Sequence, residues 1–208
     1  VSDAGLADLA SLRSLEFLNL DNTRISLRGH ELLKAALPKC NIIWSEPNRM
    51  VAEFVLALGG TVEIGPRDGP ESRAIKAATD LPRDYFQVRH VSLAGVTKPL
   101  DHQPQELWVK MIHSNFHVDL TSTLQDYLSV LNFPEFDRLE SIDLSGITGL
   151  DYGFLVAIHG LRELTLANAG LNDDGLANLP KLPALKRLVL DGNDIRGPGL
   201  AHLSPGAR

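Results

Sequence analysis

The hydrophobic residues of this chain recur in a six-residue pattern, L-x-x-L-x-L. Four segments follow the pattern in full, and they begin at Leu15, Leu139, Leu161 and Leu185. The last leucine of the three later segments stands at positions 144, 166 and 190, in steps of 22 and 24 residues. Apolar residues at every second position predict a β-strand with one buried face. A regular step between such strands predicts an internal repeat.

Shorter segments with an apolar-x-apolar ending fill the space between the first and second full copies. They end at Trp44, Ile64, Leu93 and Leu120. With these copies included, successive endings are 20 to 29 residues apart. Such steps are typical of solenoids in which one turn contains one strand and one helix. We therefore predict a strand at each ending.

A glycine nine residues after the last apolar position of the strand marks the second half of a turn. It stands at positions 29, 153, 175 and 199, and the first turn adds Gly5. Beyond the glycine the leucines change to helical spacing, and Ser2, Ser26 and Asn172 lie where a helix N-cap accepts amide hydrogens. Because glycine lacks a Cβ, it lets the start of the helix approach neighbouring backbone closely. Stacked turns of strand and helix bury their apolar sides against each other.

Three stretches carry a resemblance to a known family. Residues 1–6, 20–26 and 166–176 are similar to the bacterial T-x-I-T/S-D-x-G-L variety of ribonuclease-inhibitor-like leucine-rich repeats. The resemblance is specific over 1–44 and 139–203 and loose between them. It implies an α/β leucine-rich-repeat solenoid, a right-handed horseshoe with a parallel sheet on the concave face and helices on the convex face. Family members mostly bind proteins, and in bacteria such arrays often accompany other modules, including Ser/Thr kinases.

The repeat divides the chain into two blocks of one continuous solenoid. We predict leucine-rich repeats over residues 1–64, a polar loop or seam over 65–83, and a second block of repeats over 84–208. Val1 falls in the middle of a turn, so we expect the sequence to be a fragment of a longer chain. Because its two ends present uncapped apolar layers, we expect the chain to fray there or to self-associate.

The middle of the chain is irregular. Pro47 suits the first position of a helix over 47–58, whose apolar stripe ends at Gly59, before the next strand. Glycines and prolines interrupt 65–83, which predicts a loop with a short helix near 71–78. The stretch 99–110 exceeds the needs of one turn and should bulge outward.

The polar positions between the strand leucines predict a partner-binding surface on the concave face. Its residues are Phe17, Asn19, Asp21, Glu63, His90, Ser92, His117, Asp119, Ser141, Asp143, Glu163, Thr165, Arg187 and Asp191. Because Glu63, Asp119 and Asp143 share one row, the surface is mildly acidic. A protein partner with a basic surface would associate faster with it.

Composition excludes several classes of partner. The net charge is -6 and the chain has no basic block, which argues against nucleic acid as a partner. No apolar run approaches the roughly 18 residues of a membrane span, so no membrane contact is expected within this fragment. Cys40 is the only cysteine. An internal disulfide is therefore excluded, which favours a reducing compartment such as the cytoplasm.

Two groups of polar residues could carry chemistry. His90 and His117 share a predicted row with Ser92, Asp119 and Asp143 nearby, which suggests a Ser-His-Asp hydrolase or a small metal site. Catalysis needs a nucleophile held against its base, an oxyanion hole and a pocket that excludes water. An open sheet supplies none of these. A metal site from His102, His113, His117 and Asp119 is also disfavoured, because a strand separates residues four apart. We therefore expect no catalytic residue, no metal and no cofactor.

The sequence thus predicts a non-enzymatic scaffold that binds a protein partner on its concave sheet. The alternative is a sensor or regulatory arm of a larger enzyme, such as a Ser/Thr kinase, whose catalytic domain lies outside this fragment. A hydrolase built on the His90 and His117 pair is the third hypothesis.

Overall fold

The structure is a computed structural model that describes residues 1–21, 23–66, 69–96 and 138–203. In these ranges the chain is a mixed α/β protein with a six-stranded, mostly parallel sheet and a separate two-stranded parallel sheet. The predicted α/β class is confirmed. The predicted strand near residue 120 and the bulge at 99–110 lie outside the described residues.

Strands and short helices alternate through most of the described residues. The strands are β1 Phe17–Asn19, β2 Asn41–Ile43, β3 Thr61–Gly65, β4 Arg73–Ile75, β5 Gln87–Ser92, β6 Ser141–Asp143, β7 Glu163–Thr165 and β8 Arg187–Val189. The α-helices are α1 Leu6–Ser11, α2 Leu27–Ala36, α3 Pro47–Ala57 and α4 Asp173–Ala177. Short 3-10 helices cover Asp3–Gly5, Ala78–Asp80, Tyr152–Ala157 and Pro198–Leu203.

The large sheet has the strand order β4-β3-β5-β6-β7-β8, and β5 to β8 are parallel. Its register follows the leucine spacing. Ile142 lies opposite Leu164, and Leu164 opposite Leu188. The ladder continues at the last leucine of each copy, because the Leu144 amide donates to Thr165 at 2.9 Å and the Leu166 amide to Val189 at 2.8 Å. The 22- and 24-residue steps therefore return the chain to the same place in the next strand.

The first copies do not join this ladder in the described residues. Strand β1 pairs only with β2 there, with Leu18 opposite Ile42, so Leu20 belongs to a different sheet from Leu144 and Leu166. Two hydrophobic clusters follow this division, and the smaller one is centred on Leu20 and Leu33. The single uninterrupted sheet that the repeat predicts is thus not found within the described ranges.

The break between the sheets coincides with the 20-residue step. Strand β2 is followed almost at once by α3, which begins at Pro47 as predicted. Strand β3 is present where the pattern predicts a strand, but the expectation that it continues the parallel ladder is wrong. It pairs antiparallel with both β4 and β5. The physical reason is the connection after Gly65, which folds back as a hairpin and contains no repeat turn.

The segment 65–83 is more ordered than its glycines and prolines suggested. Residues 73–75 form β4 at the edge of the large sheet, and a 3-10 helix covers Ala78–Asp80. The short helix expected near 71–78 is therefore wrong over most of its length. Strand pairing with β3 supplies partners for backbone groups that a helix would have satisfied internally.

The predicted helix caps are confirmed at two of three positions. Ser26 Oγ accepts the Gly29 amide at 3.0 Å, and Asn172 Oδ1 accepts the Gly175 amide at 2.8 Å. Ser2 makes no side-chain cap bond, so that prediction is wrong. The expected close approach at a repeat glycine is confirmed at Gly199, where a Cβ would lie 2.6 Å from the Asp173 backbone.

A serine-to-alanine pair tests the caps. We expect Ser26→Ala to lower the free energy of unfolding by about 1–2 kcal/mol, because it removes the acceptor of the Gly29 amide. Its hydroxyl also donates to Asp3 Oδ2 at 2.6 Å. Ser2→Ala is the matched control, with an expected change within about 0.5 kcal/mol. Urea denaturation measures both. Equal losses in the free energy of unfolding of the two variants would show that the Ser26 cap does not stabilise the fold.

Candidate functional site

The parallel strands bring predicted site residues together on one face of the large sheet. Residues directly opposite each other in neighbouring strands project to the same side. One row runs through His90, Ser141, Glu163 and Arg187, and the next runs through Ser92, Asp143, Thr165 and Val189. We call this surface the open face. Between the two rows, Val91, Ile142 and Leu164 are buried on the other side.

Strand β3 extends the open face in spite of its reversed direction. Glu63 lies opposite His90, and Thr61 opposite Ser92. Facing residues share a side in antiparallel pairs as well, so Glu63 joins the predicted surface. A register irregularity follows Glu63, after which Ile64 pairs with Val88. The bulge lies at Arg89, the residue skipped on β5.

Other predicted residues are not brought to this face. Phe17 and Asn19 lie on β1 in the two-stranded sheet, where Phe17 is 54% exposed. Asp21 follows β1 and accepts a hydrogen bond from the Ser45 hydroxyl at 2.9 Å. Asp191 follows β8 and is exposed. His117 and Asp119 lie outside the described residues, as do His102 and His113.

A shallow cavity of about 550 Å³ opens on the open face where its strands begin. It is lined by Glu63, Pro70, Ser72, Arg89, His90, Glu140, Ser141, Arg162, Glu163 and Lys186. The hairpin between β3 and β4 forms one wall of the cavity. The Ser72 hydroxyl donates to Glu63 Oε2 at 3.0 Å, which holds this wall against the sheet. The Arg89 guanidinium holds the hairpin by donating to the carbonyls of Pro66 and Gly69.

Charges of both signs are exposed beside the cavity. Arg162, Glu163, Lys186 and Arg187 are exposed, and none forms an ion pair within the described part of the chain. Asp143 differs, because its Oδ1 accepts the Ser145 amide at 2.9 Å and the Ser145 hydroxyl at 2.6 Å. Part of the acidity expected from the sequence is therefore used internally.

The open face does not assemble the parts of a hydrolase from the described residues. No hydrogen bond there joins His90 to Ser92, Ser141 or Asp143, whereas a triad requires the nucleophile to contact its base. The Ser92 hydroxyl instead accepts the Ala94 amide at 3.3 Å. Within the same ranges, no group of three His, Cys, Asp or Glu residues is placed to hold a metal ion.

Sequence reasoning missed a buried polar cluster at the start of α3. Glu46, Asn48 and Arg49 are buried there, and Arg49 Nε donates to Glu46 Oε2 at 3.0 Å. Burial raises the pKa of Glu46 to about 7, against the opposing effect of the Arg49 charge. The available signal was the polar run from Glu46 to Arg49 between an apolar strand and an apolar helix.

Asn193 was also missed. Its Nδ2 donates to the carbonyls of Leu166 and Leu190, both at 2.7 Å, and its Oδ1 accepts the Leu171 amide at 3.0 Å. One side chain thus joins two successive turns. The signal was present, because 185–193 reads L-x-x-L-x-L-x-x-N, which extends the repeat by its asparagine position.

Comparison with known proteins assigns no family and no function to the chain. No protein-family model matches the chain. A comparison with curated proteins also finds no significant match. Among the helices of the described ranges, none has both the length and the apolar character required to cross a membrane.

Proposed function

We propose that the chain is a leucine-rich-repeat array of the ribonuclease-inhibitor-like type. Support comes from the register of β6, β7 and β8, which advances by one repeat at each strand. Further support comes from Asn193, which bonds to the carbonyls of two successive strand-ending leucines, Leu166 and Leu190. In this proposal the open face corresponds to the concave side of a horseshoe, and α4 with its 3-10 counterparts lies on the convex side.

The proposed function is non-enzymatic binding of a protein partner on the open face. The observation that carries it is the row of directly opposed polar side chains across β5 to β8, whose charged members at β7 and β8 lack ion-pair partners in the described residues. A rigid sheet holds such groups at fixed spacings of about 4.8 Å, which favours recognition of a folded surface or an extended segment. The cavity walled by Ser72 gives the face a concave feature at the end where β6, β7 and β8 begin.

A charge reversal on the open face tests this proposal. Arg187→Glu is expected to reduce recovery of the partner at least tenfold, because a partner that is complementary to the unpaired charges of both signs places an acidic group against Arg187, and the new carboxylate repels that group. Lys181→Glu changes the charge equally, at an exposed residue in the segment between α4 and β8. The wild type and both variants, immobilised at equal density, are incubated with lysate of the source cells, and retained proteins are quantified by mass spectrometry.

The expected outcome is a set of proteins retained by the wild type and Lys181→Glu and lost with Arg187→Glu. Circular dichroism establishes that both variants are folded. Identical sets of proteins from all three chains would contradict the open face as the binding surface.

A further inference from the structure

The two sheets are joined through polar contacts. We call β1, β2, α1 and α2 the first unit, and α3 with β3 to β8 the second unit. Each unit has its own hydrophobic cluster, and in the described residues the two clusters are separate. An interface without a shared apolar core is held mainly by hydrogen bonds and charges, and relative motion is expected across such an interface.

The outer layer of this interface connects α2 with the segment before β5. The Arg28 amide donates to the Arg83 carbonyl at 3.0 Å, and its guanidinium lies 3.7 Å from Asp84. Arg83 pairs in turn with Glu31 on α2. These ion pairs are largely exposed, so each contributes little by itself.

The inner layer is the buried cluster at the start of α3. Glu46, 3% exposed, pairs with Arg49, and the Leu27 amide at the start of α2 lies near enough to the carboxyl group to lower its pKa. Arg49, 8% exposed, also donates to the Pro82 carbonyl. The second oxygen of Glu46 is buried and has no hydrogen-bond partner within the described part of the chain. One carboxyl group therefore contacts both units and remains half-satisfied.

We propose that this seam is a proton-controlled hinge, at which protonation of Glu46 favours docking of the first unit on the second and ionisation of Glu46 makes opening of the seam more frequent. An ionised carboxylate with a buried, unpartnered oxygen gains hydration when the seam opens. Protonation removes the charge, and with it the gain from opening. Arg49 offsets only part of the cost, because it bonds to one oxygen of the carboxylate.

The direction of the pH dependence follows from the carboxyl group. Burial raises the pKa of Glu46 to about 7 from an ordinary 4.5. A raised pKa in the docked state means that docking is fully favoured below about 4.5 and is weakened as the pH rises through about 7. Burial lowers the pKa of His30 on α2, so that group titrates below its ordinary 6.5. The other charged groups at the seam are Arg49 and Glu53 on α3, Arg28, Glu31 and Lys34 on α2, and Arg83 and Asp84 before β5.

The hinge has a consequence that rests on the proposed function. Phe17 and Asn19 belong to the first unit, whereas the open face belongs to the second. Docking of the first unit would therefore fix the position of Phe17 and Asn19 relative to the open face, so that a partner could contact both sets of residues at once. Acidification would favour that arrangement.

Hydrogen exchange of the Arg28 amide tests the hinge directly, because this amide donates across the seam. Exchange is followed by NMR from pH 5.5 to 8.5, and each rate is corrected for the intrinsic pH dependence of an exposed amide. We expect the opening constant to be about tenfold larger at pH 8 than at pH 6, from pKa values of 4.5 when open and about 7 when docked. It should level off above pH 7.

Two glutamine variants separate the hinge from other causes. Glu46→Gln should abolish the rise between pH 6 and 8, whereas Glu53→Gln, the neighbouring carboxylate on α3, should retain it. A rise that persists in Glu46→Gln overturns the proposal. If Glu46→Gln does not fold, the wild-type profile decides, and the absence of a tenfold rise that levels above pH 7 overturns it. Partner binding plays no part in this measurement, so the hinge and the proposed function can fail separately.

Discussion

Replacing Leu166 with alanine is expected to lower the free energy of unfolding by about 2–5 kcal/mol. Leu166 is 0% exposed and directly follows β7, the middle strand of the β6 to β8 ladder. Truncation removes apolar contacts and leaves a cavity that neighbouring turns cannot fill without moving their own backbone. Urea denaturation followed by circular dichroism measures the change.

Leu200→Ala is the matched control for this substitution. Leu200 lies in the 3-10 helix Pro198–Leu203 and is 46% exposed. Its truncation should change the free energy of unfolding by no more than about 0.5 kcal/mol. If the two variants lost the same stability, Leu166 would not occupy the interior of the ladder.

Replacing Arg49 with methionine is expected to cost about 3–5 kcal/mol at pH 8, because it leaves the Glu46 carboxylate buried without its counter-ion. The guanidinium also lies 5.4 Å from the centre of the Phe86 ring, and methionine keeps much of that packing volume. Loss of the cation raises the pKa of Glu46 further above 7. Since the neutral carboxyl needs no counter-ion, the penalty should shrink as the pH falls from 8 to 5.5.

A double variant isolates the charge. Glu46→Gln combined with Arg49→Met removes both members of the pair, and it should recover most of the stability that Arg49→Met loses at pH 8. Urea denaturation of the wild type, Arg49→Met and the double variant at pH 8 and pH 5.5 provides the six values. A penalty that is equal at both pH values, and unchanged in the double variant, would show that Arg49 acts through packing alone.

The strands of the later repeats could be predicted because apolar and polar residues alternate along each of them, and the apolar residues are the buried ones. Each L-x-x-L-x-L segment contains a strand, and Ile142 and Leu164 occupy the buried positions that the pattern assigns. Helix α3 was predictable for a related reason. Pro47 is tolerated at a first helical position, and an apolar stripe with helical spacing follows it.

Strand direction was not predictable in the same way. Alternation reads identically for parallel and antiparallel neighbours, so Val62 and Ile64 predict the β3 strand and its buried side without its partner or orientation. The β3–β4 hairpin decides the orientation. Its second strand is only three residues long and lies among prolines and glycines, where sequence patterns indicate loops.

The candidate site also has a part that the sequence predicts and a part that it does not. Ser141, Glu163 and Arg187 share a face because alternate residues of a strand project to the same side. This alternation can be read from the sequence of each strand alone. Three features depend on tertiary contacts that the alternation of residues along a strand cannot predict. They are the bond from Ser72 to Glu63, the use of Asp143 by Ser145, and the burial of Glu46.

The most direct test of the account is the register of β6, β7 and β8 in solution. Nuclear Overhauser effects between backbone protons of neighbouring strands report it. The account predicts contacts that place Ile142 beside Leu164 and Leu164 beside Leu188. Contacts displaced by one residue would contradict it, because such a slip turns Glu163 and its neighbours in the row towards the core and removes the open face.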